Sequence, residues 1–234
     1  MKNILCTICA RGGSKGIKNK NIKEINAKPL IAYTIGQAKD SALFEHIVVS
    51  TDSEDIANIA KEYGAEVFFK RSAKMASDTA GKLDVIRDAF MRSEEYYNKQ
   101  FDYLIDLDAT APLRNVDDII NSFNQFLENN NDNLITAMPS RRSPYFNLVE
   151  VDSVGKVSLS KQLDKSILRR QDAPKSYDMN ASIYIWKRDS ILNDKSLFLE
   201  NTGLYVMPEE RSIDIDTELD YRFVEFLMKE NNVK

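Results

Sequence analysis

A glycine-rich, basic segment near the N-terminus has residue types that could hold a phosphorylated ligand. It reads Ala10-Arg-Gly-Gly-Ser-Lys-Gly16 and directly follows a predicted strand, Asn3 to Cys9. Glycine and serine allow backbone N–H groups to approach an anion closely. Arg11, Lys15 and Lys20 add positive charge around such an anion. The segment therefore predicts a polyphosphate-binding loop, and hence a nucleotide ligand.

The loop matches neither of the two common nucleotide-binding motifs. A Walker A loop requires G-x-x-x-x-G-K-[ST] and a dinucleotide fingerprint requires G-x-G-x-x-G. This loop instead ends in Ser14-Lys15-Gly16. The alternative interpretation is a solvated basic turn that only joins two elements. The position of the loop directly after a strand favours ligand binding, because ligands of open α/β sheets lie at the carboxyl ends of strands.

Two carboxylates near the other end of the chain could hold a divalent cation. Polar and apolar residues alternate in Ser212-Ile-Asp-Ile-Asp216. In an extended segment Asp214 and Asp216 would therefore share one face while the two isoleucines face the core. Mg²⁺ prefers one or two carboxylates and completes its shell with water and substrate phosphates. The alternative is a solvent-exposed face on which Asp216 or Thr217 caps the last helix.

The elements that would position these groups alternate between apolar strands and amphipathic helices. This alternation predicts βαβ units, an α/β fold and a mostly parallel sheet. In chain order, the predicted elements are a strand at Ile4–Cys9, a helix from Pro29, a strand at Ile47–Ser50, a helix from Ser53, strands at Glu66–Phe69 and Tyr103–Leu107, a helix containing Val116 to Leu127, and a strand at Leu134–Ala137.

Two of these helices carry local start or stop signals. Pro29 suits a first helical position and precedes an apolar stripe that begins at Ile31. Before the next helix, Asp52 or Ser53 is the predicted N-cap, and Gly64 marks the end of that helix. The pattern favours a capping role for Asp52 over a ligand-binding role.

The pattern changes after residue 139. Tyr145–Val151 and Lys156–Ser160, joined by a Ser153-Val-Gly155 turn, predict an antiparallel hairpin. A polar, basic stretch follows to Lys175, and we interpret the whole segment as an arm that leaves the main body. The remaining predicted elements are a strand at Ser182–Trp186 and a closing helix around Leu219, Phe223, Phe226 and Leu227.

Length and composition predict one domain of 234 residues that carries an arm. Hydrophobic residues make up 43%, charged residues 29%, and the net charge is -4, which gives no general affinity for nucleic acid. No apolar stretch approaches the roughly 20 residues that span a bilayer. Because the N-terminus runs into a strand instead of a cleavable signal, we expect a cytoplasmic protein.

The cysteines and the single histidine point to structural roles. Cys6 and Cys9 are three residues apart on a strand, so their thiols should point to opposite faces, and we predict two buried core cysteines instead of a redox pair. His46 is the one histidine in the sequence. A structural zinc site built from Cys and His is therefore not expected, and a Ser-His-Asp triad would have to use His46. We predict a partly exposed imidazole at a strand end.

Six motifs, in order along nearly the whole chain, resemble those of the acylneuraminate cytidylyltransferases, the CMP-nonulosonic acid synthetases. The resemblance implies a Rossmann-like three-layer nucleotidyltransferase fold. It also implies transfer of CMP from CTP to the anomeric 2-hydroxyl of a nine-carbon keto-sugar acid, with release of pyrophosphate. The motifs are Ala10–Gly16, Lys20-Asn21, Val49-Ser-Thr-Asp52, Ala76-Ser-Asp-Thr-Ala80, Ala111-Pro-Leu-Arg114 and Ser212–Asp220.

The resemblance also assigns roles residue by residue. Arg71 and Ala80 would border the cytosine, and Asp214 and Asp216 would hold Mg²⁺, with Mn²⁺ as an alternative. The catalytic groups would be these two carboxylates with three cations of the loop region, and no histidine base is needed. The residues that would hold the triphosphate and ribose are Arg11, Gly12, Ser14, Lys15, Lys20 and Asn21.

The sugar side departs from the sialic-acid pattern of this family. Sialate enzymes carry a glutamine where this chain has Asp108, and the family often has a basic residue where this chain has Asp178. A carboxylate beside a sugar carboxylate would be repulsive. We therefore expect Asp108 to accept hydrogen bonds from hydroxyl or acetamido groups. The strings Leu104–Asp108 and Arg142–Asn147 look most like the legionaminic acid branch.

Two further residues match family positions that face the sugar, Arg170 and Asn180. Arg170 could pair with the sugar carboxylate through a bidentate contact. The alternative for Arg170 is a solvated loop charge. Residues 140–175 align with the family's dimerisation arm, which implies a homodimer. The apolar residues of the predicted hairpin agree with burial against a partner.

Two other functions stay open from the sequence. The first is a cytidylyltransferase for the eight-carbon sugar acid of lipopolysaccharide, whose loop and metal motifs differ from those of this chain. The second is a catalytically silent nucleotide-sugar-binding protein. Such a protein would be free to lose Lys20, Asp214 or Asp216, and the chain carries all three.

Overall fold

A six-stranded sheet forms the centre of the chain in the computed structural model, which describes residues 2–164 and 169–230. Two short pairs of strands lie outside this sheet. The strands are β1 Ile4–Cys9, β2 Glu24–Ile25, β3 Lys28–Pro29, β4 His46–Ser50, β5 Tyr103–Leu107, β6 Asn133–Pro139, β7 Val149–Val151, β8 Val157–Leu159, β9 Tyr177–Lys187 and β10 Thr202–Val206.

Six α-helices accompany the sheet in the part of the chain that the structure describes. They are α1 Leu30–Ser41, α2 Glu54–Glu62, α3 Lys82–Tyr97, α4 Val116–Glu128, α5 Arg188–Asn193 and α6 Glu218–Glu230. No helix among the described residues is long and apolar enough to cross a membrane.

The strand order is β10-β6-β9-β5-β1-β4. β1 runs parallel to both of its neighbours, β4 and β5, and β6 runs parallel to β10. β9 is antiparallel to β5 and β6, because the chain re-enters the sheet from the side of the hairpin. The predicted α/β fold with a mostly parallel sheet is confirmed.

Side chains of β1 alternate between two cores, which makes the fold three layers thick. Ile4, Cys6 and Ile8 pack in the cluster that contains Ile31 of α1 and Phe123 of α4. Leu5 packs on the opposite face, in the cluster that contains Ile86 and Phe90 of α3. This alternation follows from the two-residue repeat of a strand. Within the sheet, β1 lies between β5 and the edge strand β4.

Several predicted element boundaries need correction. Helix α1 begins at Leu30, so Pro29 is the residue before the helix and the last residue of β3. Ser53 is the N-cap of α2, where its Oγ accepts a hydrogen bond from the Ile56 N–H. Asp52 is therefore not the cap of α2, and its carboxylate accepts a hydrogen bond from the Gly12 N–H instead.

The predicted strand at Glu66–Phe69 is wrong. Glu66 makes one parallel bridge to Val48, and the chain then leaves the sheet edge. Phe68 stacks on Tyr96 of α3 with ring centroids 4.0 Å apart. The aromatic residues of this segment therefore cover α3, a helix that the sequence patterns above did not predict.

The hairpin predicted after residue 139 is present as β7 and β8, paired in antiparallel register. Every residue of these two strands is exposed. Gly155 in the connecting turn has φ of 82°, a left-handed conformation that favours glycine. Positions 165–168 of the predicted arm 140–175, and positions 1 and 231–234 of the predicted domain 1–234, lie outside the described residues.

Candidate active site

A cleft opens at the carboxyl ends of β1 and β5. It consists of two adjoining cavities of about 310 and 270 Å³, which share Cys9, Arg11 and Asp108. Each volume alone is close to the lower limit for ligand pockets, so we treat the two adjoining cavities as one site. The first cavity is also lined by Ser14, Lys15, Gly16, Lys20, Asn21, Thr110, Asp214 and Asp216, and the second by Arg71, Met75, Ser77, Asp78, Ala80, Lys82 and Val85.

The cleft brings together most of the residues that were predicted from separate parts of the chain. The loop residues and the carboxylate pair line the first cavity, and Arg71 with Ala80 lines the second. Gly12 does not line either cavity, and its N–H donates to Asp52 Oδ1 at 2.9 Å. Asp52 therefore braces the loop, a role that the capping interpretation missed.

Asn21 also supports the loop from behind. It is buried, and its Nδ2 donates to the Arg11 carbonyl at 3.0 Å. The first turn of the loop is closed by a hydrogen bond from the Ser14 N–H to the Gly12 carbonyl at 3.1 Å. The backbone around Arg11 is thus fixed by side chains that come from outside the loop.

The loop and the carboxylate segment are in direct contact. Lys20 Nζ donates to the Ile215 carbonyl at 2.6 Å and to Asp216 Oδ1 at 2.9 Å. Gly16 lies so close to this segment that a Cβ at its position would be 2.0 Å from the Asp216 carbonyl oxygen. A side chain at residue 16 would therefore push the two parts of the site apart.

The carboxylate segment has the alternation predicted from its sequence, although it is not a strand. Ile215 is fully buried and Ile213 is partly buried in one apolar cluster, while Asp214 and Asp216 both line the first cavity. Burial is the main cause that raises the pKa of Asp214 to about 6, and the charges of Asp108 and Asp216 add to it. One oxygen of Asp214 is buried without a hydrogen-bond partner among the described residues.

This donor set fits a divalent cation. An unpartnered, buried carboxylate oxygen beside two further carboxylates is unfavourable unless a proton or a cation neutralises it. Mg²⁺ takes carboxylate oxygens and otherwise keeps water or phosphate ligands. Asp214 and Asp216 could hold such an ion, with one oxygen of Asp216 already bonded to Lys20.

Asp108 follows β5 and is bonded to two protein partners. Lys82 Nζ lies 2.5 Å from its Oδ2, and Thr110 donates both its N–H and its hydroxyl to its Oδ1. Burial acts to raise the pKa of Asp108, but the Lys82 ammonium outweighs it and holds the pKa well below its usual range. Asp108 is thus an ionised carboxylate that fixes Lys82 at the boundary of the two cavities.

Arg71 is a buried arginine in the second cavity. Its Nε donates to Ser50 Oγ at 3.0 Å, and its guanidinium also donates to the Ser50 carbonyl. Ser50 is the last residue of β4. The orientation of Arg71 is therefore set by the sheet itself, with Ala80 across the same cavity.

Two residues predicted to face the sugar do not line this cleft. Asn180 is buried, accepts from Thr136 Oγ1 at 2.7 Å, and donates to Ser212 Oγ at 3.0 Å. It holds the segment that leads to Asp214. Arg170 lies in a separate cavity at the base of the arm, where it donates to the Ser140 carbonyl.

Other residues of the cleft were missed or placed differently by sequence reasoning. Cys9 is partly exposed and lines both cavities, so the prediction of a buried core thiol holds for Cys6 and is wrong for Cys9. Asp78 belongs to the motif Ala76–Ala80 but received no role, and Lys82 lies two residues beyond that motif. Both residues could have been identified from the sequence, because each lies two positions from Ala80, which was predicted to border the cytosine.

A family model described as cytidylyltransferase matches residues 5–233. The chain belongs to the cytidylyltransferase family. It is similar to three curated relatives over nearly the full length of both chains. Post-translational flagellin modification protein B of Campylobacter coli is 62% identical over 100% of this chain and 98% of its own length.

The other two relatives are from Campylobacter jejuni. The CMP-N,N'-diacetyllegionaminic acid synthase is 58% identical, with 100% of this chain and 98% of the relative covered. The pseudaminic acid cytidylyltransferase is 34% identical, with 99% of this chain and 98% of the relative covered.

A solved structure shows the same fold at low sequence identity. CMP:2-keto-3-deoxy-manno-octonic acid synthetase, solved in complex with CTP, matches with a TM-score of 0.72 and 17% identity. The match covers 98% of this chain and 100% of that one. It supports the three-layer nucleotidyltransferase fold that the motifs implied.

Proposed function

We propose that this cytidylyltransferase moves CMP from CTP to the anomeric hydroxyl of a nonulosonic acid, with N,N'-diacetyllegionaminic acid as the preferred acceptor. The observation that carries the proposal is the contact between the basic loop and the carboxylate pair through Lys20 and Asp216. That contact would bring the phosphates of a nucleotide next to a cation site. The 58% identity to a legionaminic acid synthase supports the choice of sugar.

The nucleotide would lie across both cavities. Arg71 and the backbone around Ala80 would contact the cytosine, and Asn21 and Ser14 would lie near the ribose and phosphates. Because Arg71 is held by Ser50, it offers donors in a fixed geometry to the base. Fixed N–H donors of this kind favour a carbonyl acceptor, such as that of cytosine, over an exocyclic amino group.

The chemistry would be an in-line displacement at the α-phosphorus. The anomeric hydroxyl would lose its proton to water, and its oxygen would form the new bond to the α-phosphorus. The bond from that phosphorus to the oxygen that bridges to the β-phosphorus would break, and pyrophosphate would leave with that oxygen. Arg11 and Lys15 would stabilise the negative charge that develops on the leaving group. Mg²⁺ held by Asp214 and Asp216 would neutralise phosphate charge and lower the pKa of the attacking hydroxyl. Asp108, which lines both cavities, would accept hydrogen bonds from hydroxyl or acetamido groups of the acceptor.

The arm would complete the site of a second copy. Arg170 lies outside the cleft of its own chain, and the hairpin strands β7 and β8 expose apolar side chains such as Val151 and Val157. In a homodimer the arm of one subunit could cover the partner's cleft and carry Arg170 to the sugar carboxylate. Because CTP is a cytoplasmic nucleotide, the reaction would take place in the cytoplasm.

Substrate choice is tested by pyrophosphate release from CTP and Mg²⁺. N,N'-diacetyllegionaminic, N-acetylneuraminic, pseudaminic and 3-deoxy-octulosonic acids are offered separately. The highest kcat/KM is expected with the legionaminic compound. A preference for another nine-carbon acid would retain the activity and refute the sugar assignment, and a preference for the octulosonic acid would favour the alternative enzyme. CTP binding without turnover of any sugar would favour a silent binding protein.

The dimer is tested by subunit complementation. Asp216→Ala should abolish turnover through its own cleft, and Arg170→Ala should weaken the sugar site of the partner. When equal amounts of the two variants are mixed and their subunits exchange, half of the dimers are heterodimers. Each heterodimer has one intact site out of two, so about a quarter of wild-type activity should return. Arg169→Ala, which breaks an exposed pair with Asp172, is the matched control for Arg170→Ala. Activity no higher than that of the separate variants would refute the arm's reach.

A further inference from the structure

Two cations of the phosphate loop share one carboxylate. Arg11 Nη1 lies 2.8 Å from Asp78 Oδ1, and Lys15 Nζ lies 2.7 Å from Asp78 Oδ2. Each carboxylate oxygen thus faces one cation. The three residues come from two segments that both line the cleft, the loop after β1 and the residues before α3.

We propose that Asp78 is an internal anion that holds Arg11 and Lys15 until the β- and γ-phosphates of CTP displace it. This inference rests on the proposed function, because it assumes that these two cations bind the polyphosphate. A carboxylate bonded to two cations resembles the arrangement that a phosphate group would make with the same donors. Asp78 therefore determines which anions bind strongly enough to take its place.

Retention of Asp78 beside a bound triphosphate is unfavourable. Its carboxylate would face phosphate oxygens of the same charge across the cations that they share, and like charges at such distances repel. Lys15 Nζ, its hydrogen-bond partner, is also the main cause of a lowered pKa of Asp78, so the carboxylate is ionised at neutral pH. The side chains of Asp78 and Lys15 are 50% and 74% exposed, so water can solvate Asp78 once it is released.

The third cation of the loop region is held differently. Lys20 has a side chain that is 14% exposed and bonds to Asp216 and the Ile215 carbonyl. It does not contact Asp78. A ligand therefore competes with Asp78 only if it reaches Arg11 and Lys15, which a terminal diphosphate can do and the single phosphate of CMP at the α-position would not.

The test is isothermal titration of wild type, Asp78→Asn and Asp78→Glu with CTP, pyrophosphate and CMP, in the absence of sugar. Removal of the carboxylate should tighten CTP and pyrophosphate binding roughly threefold to tenfold, as expected for two exposed ion pairs. CMP binding should not change. Asp78→Glu keeps the charge and should bind close to wild type. In steady-state assays, pyrophosphate should inhibit Asp78→Asn more strongly than wild type by a similar factor.

Asp88→Asn is the matched control. It removes one carboxylate from an ion pair with Arg92 at 2.9 Å, on the α3 surface, and so changes net charge by the same amount. Its affinities should equal those of wild type. Thermal melting of each variant establishes that the fold is intact before binding is compared.

The outcomes separate the inference from the proposed function. Weaker CTP binding by Asp78→Asn would mean that Asp78 positions the two cations, and unchanged binding would mean that the pairs do not compete; either result overturns the inference. If wild type binds pyrophosphate but not CTP, the proposed function fails, yet tighter pyrophosphate binding by Asp78→Asn would still support the internal anion. Equal tightening of CMP would also refute the displacement, because CMP cannot reach both cations.

Discussion

Gly16→Ala should disable the site by forcing the loop away from the carboxylate segment. A Cβ at residue 16 would lie 2.0 Å from the Asp216 carbonyl oxygen and 3.3 Å from its carbonyl carbon. Carbon–oxygen contacts are about 3.3 Å or longer, so the two backbones must separate by about 1.3 Å. Both partners are main-chain atoms, and no side-chain rotation can relieve the overlap.

The displacement should affect activity more than stability. Overpacking of this kind costs about 1–3 kcal/mol, which lowers Tm by several degrees in a domain of this size. A shift of about 1 Å in a reacting group can cost about 100-fold in rate. Because Lys20 bonds to the same segment, its ammonium moves as well. We expect kcat/KM for CTP to fall about 100-fold in a pyrophosphate-release assay.

Two other glycines serve as controls. Gly36 lies inside α1, where an added Cβ would meet only Lys28 Nζ at 3.7 Å, so Gly36→Ala should keep or raise Tm. Gly13 has no atom within 4 Å of an added Cβ, so Gly13→Ala should leave the stability of the free protein unchanged. If Gly16→Ala keeps both the Tm and the turnover of wild type, the loop and the carboxylate segment are not in contact as described.

Two further substitutions test the carboxylate segment. Asp214→Asn should raise the Tm of the metal- and nucleotide-free protein above pH 6. The raised pKa of Asp214 means that the folded state binds this proton more tightly than the unfolded state does. The wild-type protein therefore loses stability as pH rises from about 4 to about 6, and the variant does not. The gain should fade as pH falls towards 4 in melts across that range, and a gain independent of pH would contradict the assignment. Asn180→Ala removes the acceptor of the buried Ser182 N–H, together with the hydrogen bonds to Thr136 and Ser212, and should cost about 2 kcal/mol in urea unfolding. It should also raise the Mg²⁺ concentration needed for half-maximal turnover, which a stability defect alone would not do.

The parts of the site that could be predicted from sequence are those encoded within a few consecutive residues. A buried strand followed by glycine and basic residues defines the loop, and a two-residue alternation places Asp214 and Asp216 on one side. Each pattern specifies its own local geometry. The sheet then brings the loop and the other motifs together, since the carboxyl ends of parallel strands lie at one edge.

The errors arose where a tertiary contact decided between two local possibilities. Asp52 and Ser53 are both good N-caps, and the choice depended on the Gly12 N–H, which needs an acceptor 40 residues away. The apolar residues after Glu66 fit a strand equally well, but they pack on α3 instead. Helix α3 itself carried a readable signal, because Ile86 and Phe90 repeat on one face.

The charged groups of the cleft are paired before any ligand binds, and this determines how a ligand must act. Arg11 and Lys15 pair with Asp78, Lys20 pairs with Asp216, and Lys82 pairs with Asp108. A nucleotide therefore exchanges one set of ion pairs for another, which keeps the side chains ordered in the free protein and lowers the entropy lost on binding. Arg71 is instead bonded to the neutral Ser50, and one buried oxygen of Asp214 has no partner among the described residues. Asp214 is thus a carboxylate of the cleft whose charge is left for a proton or a bound cation to neutralise.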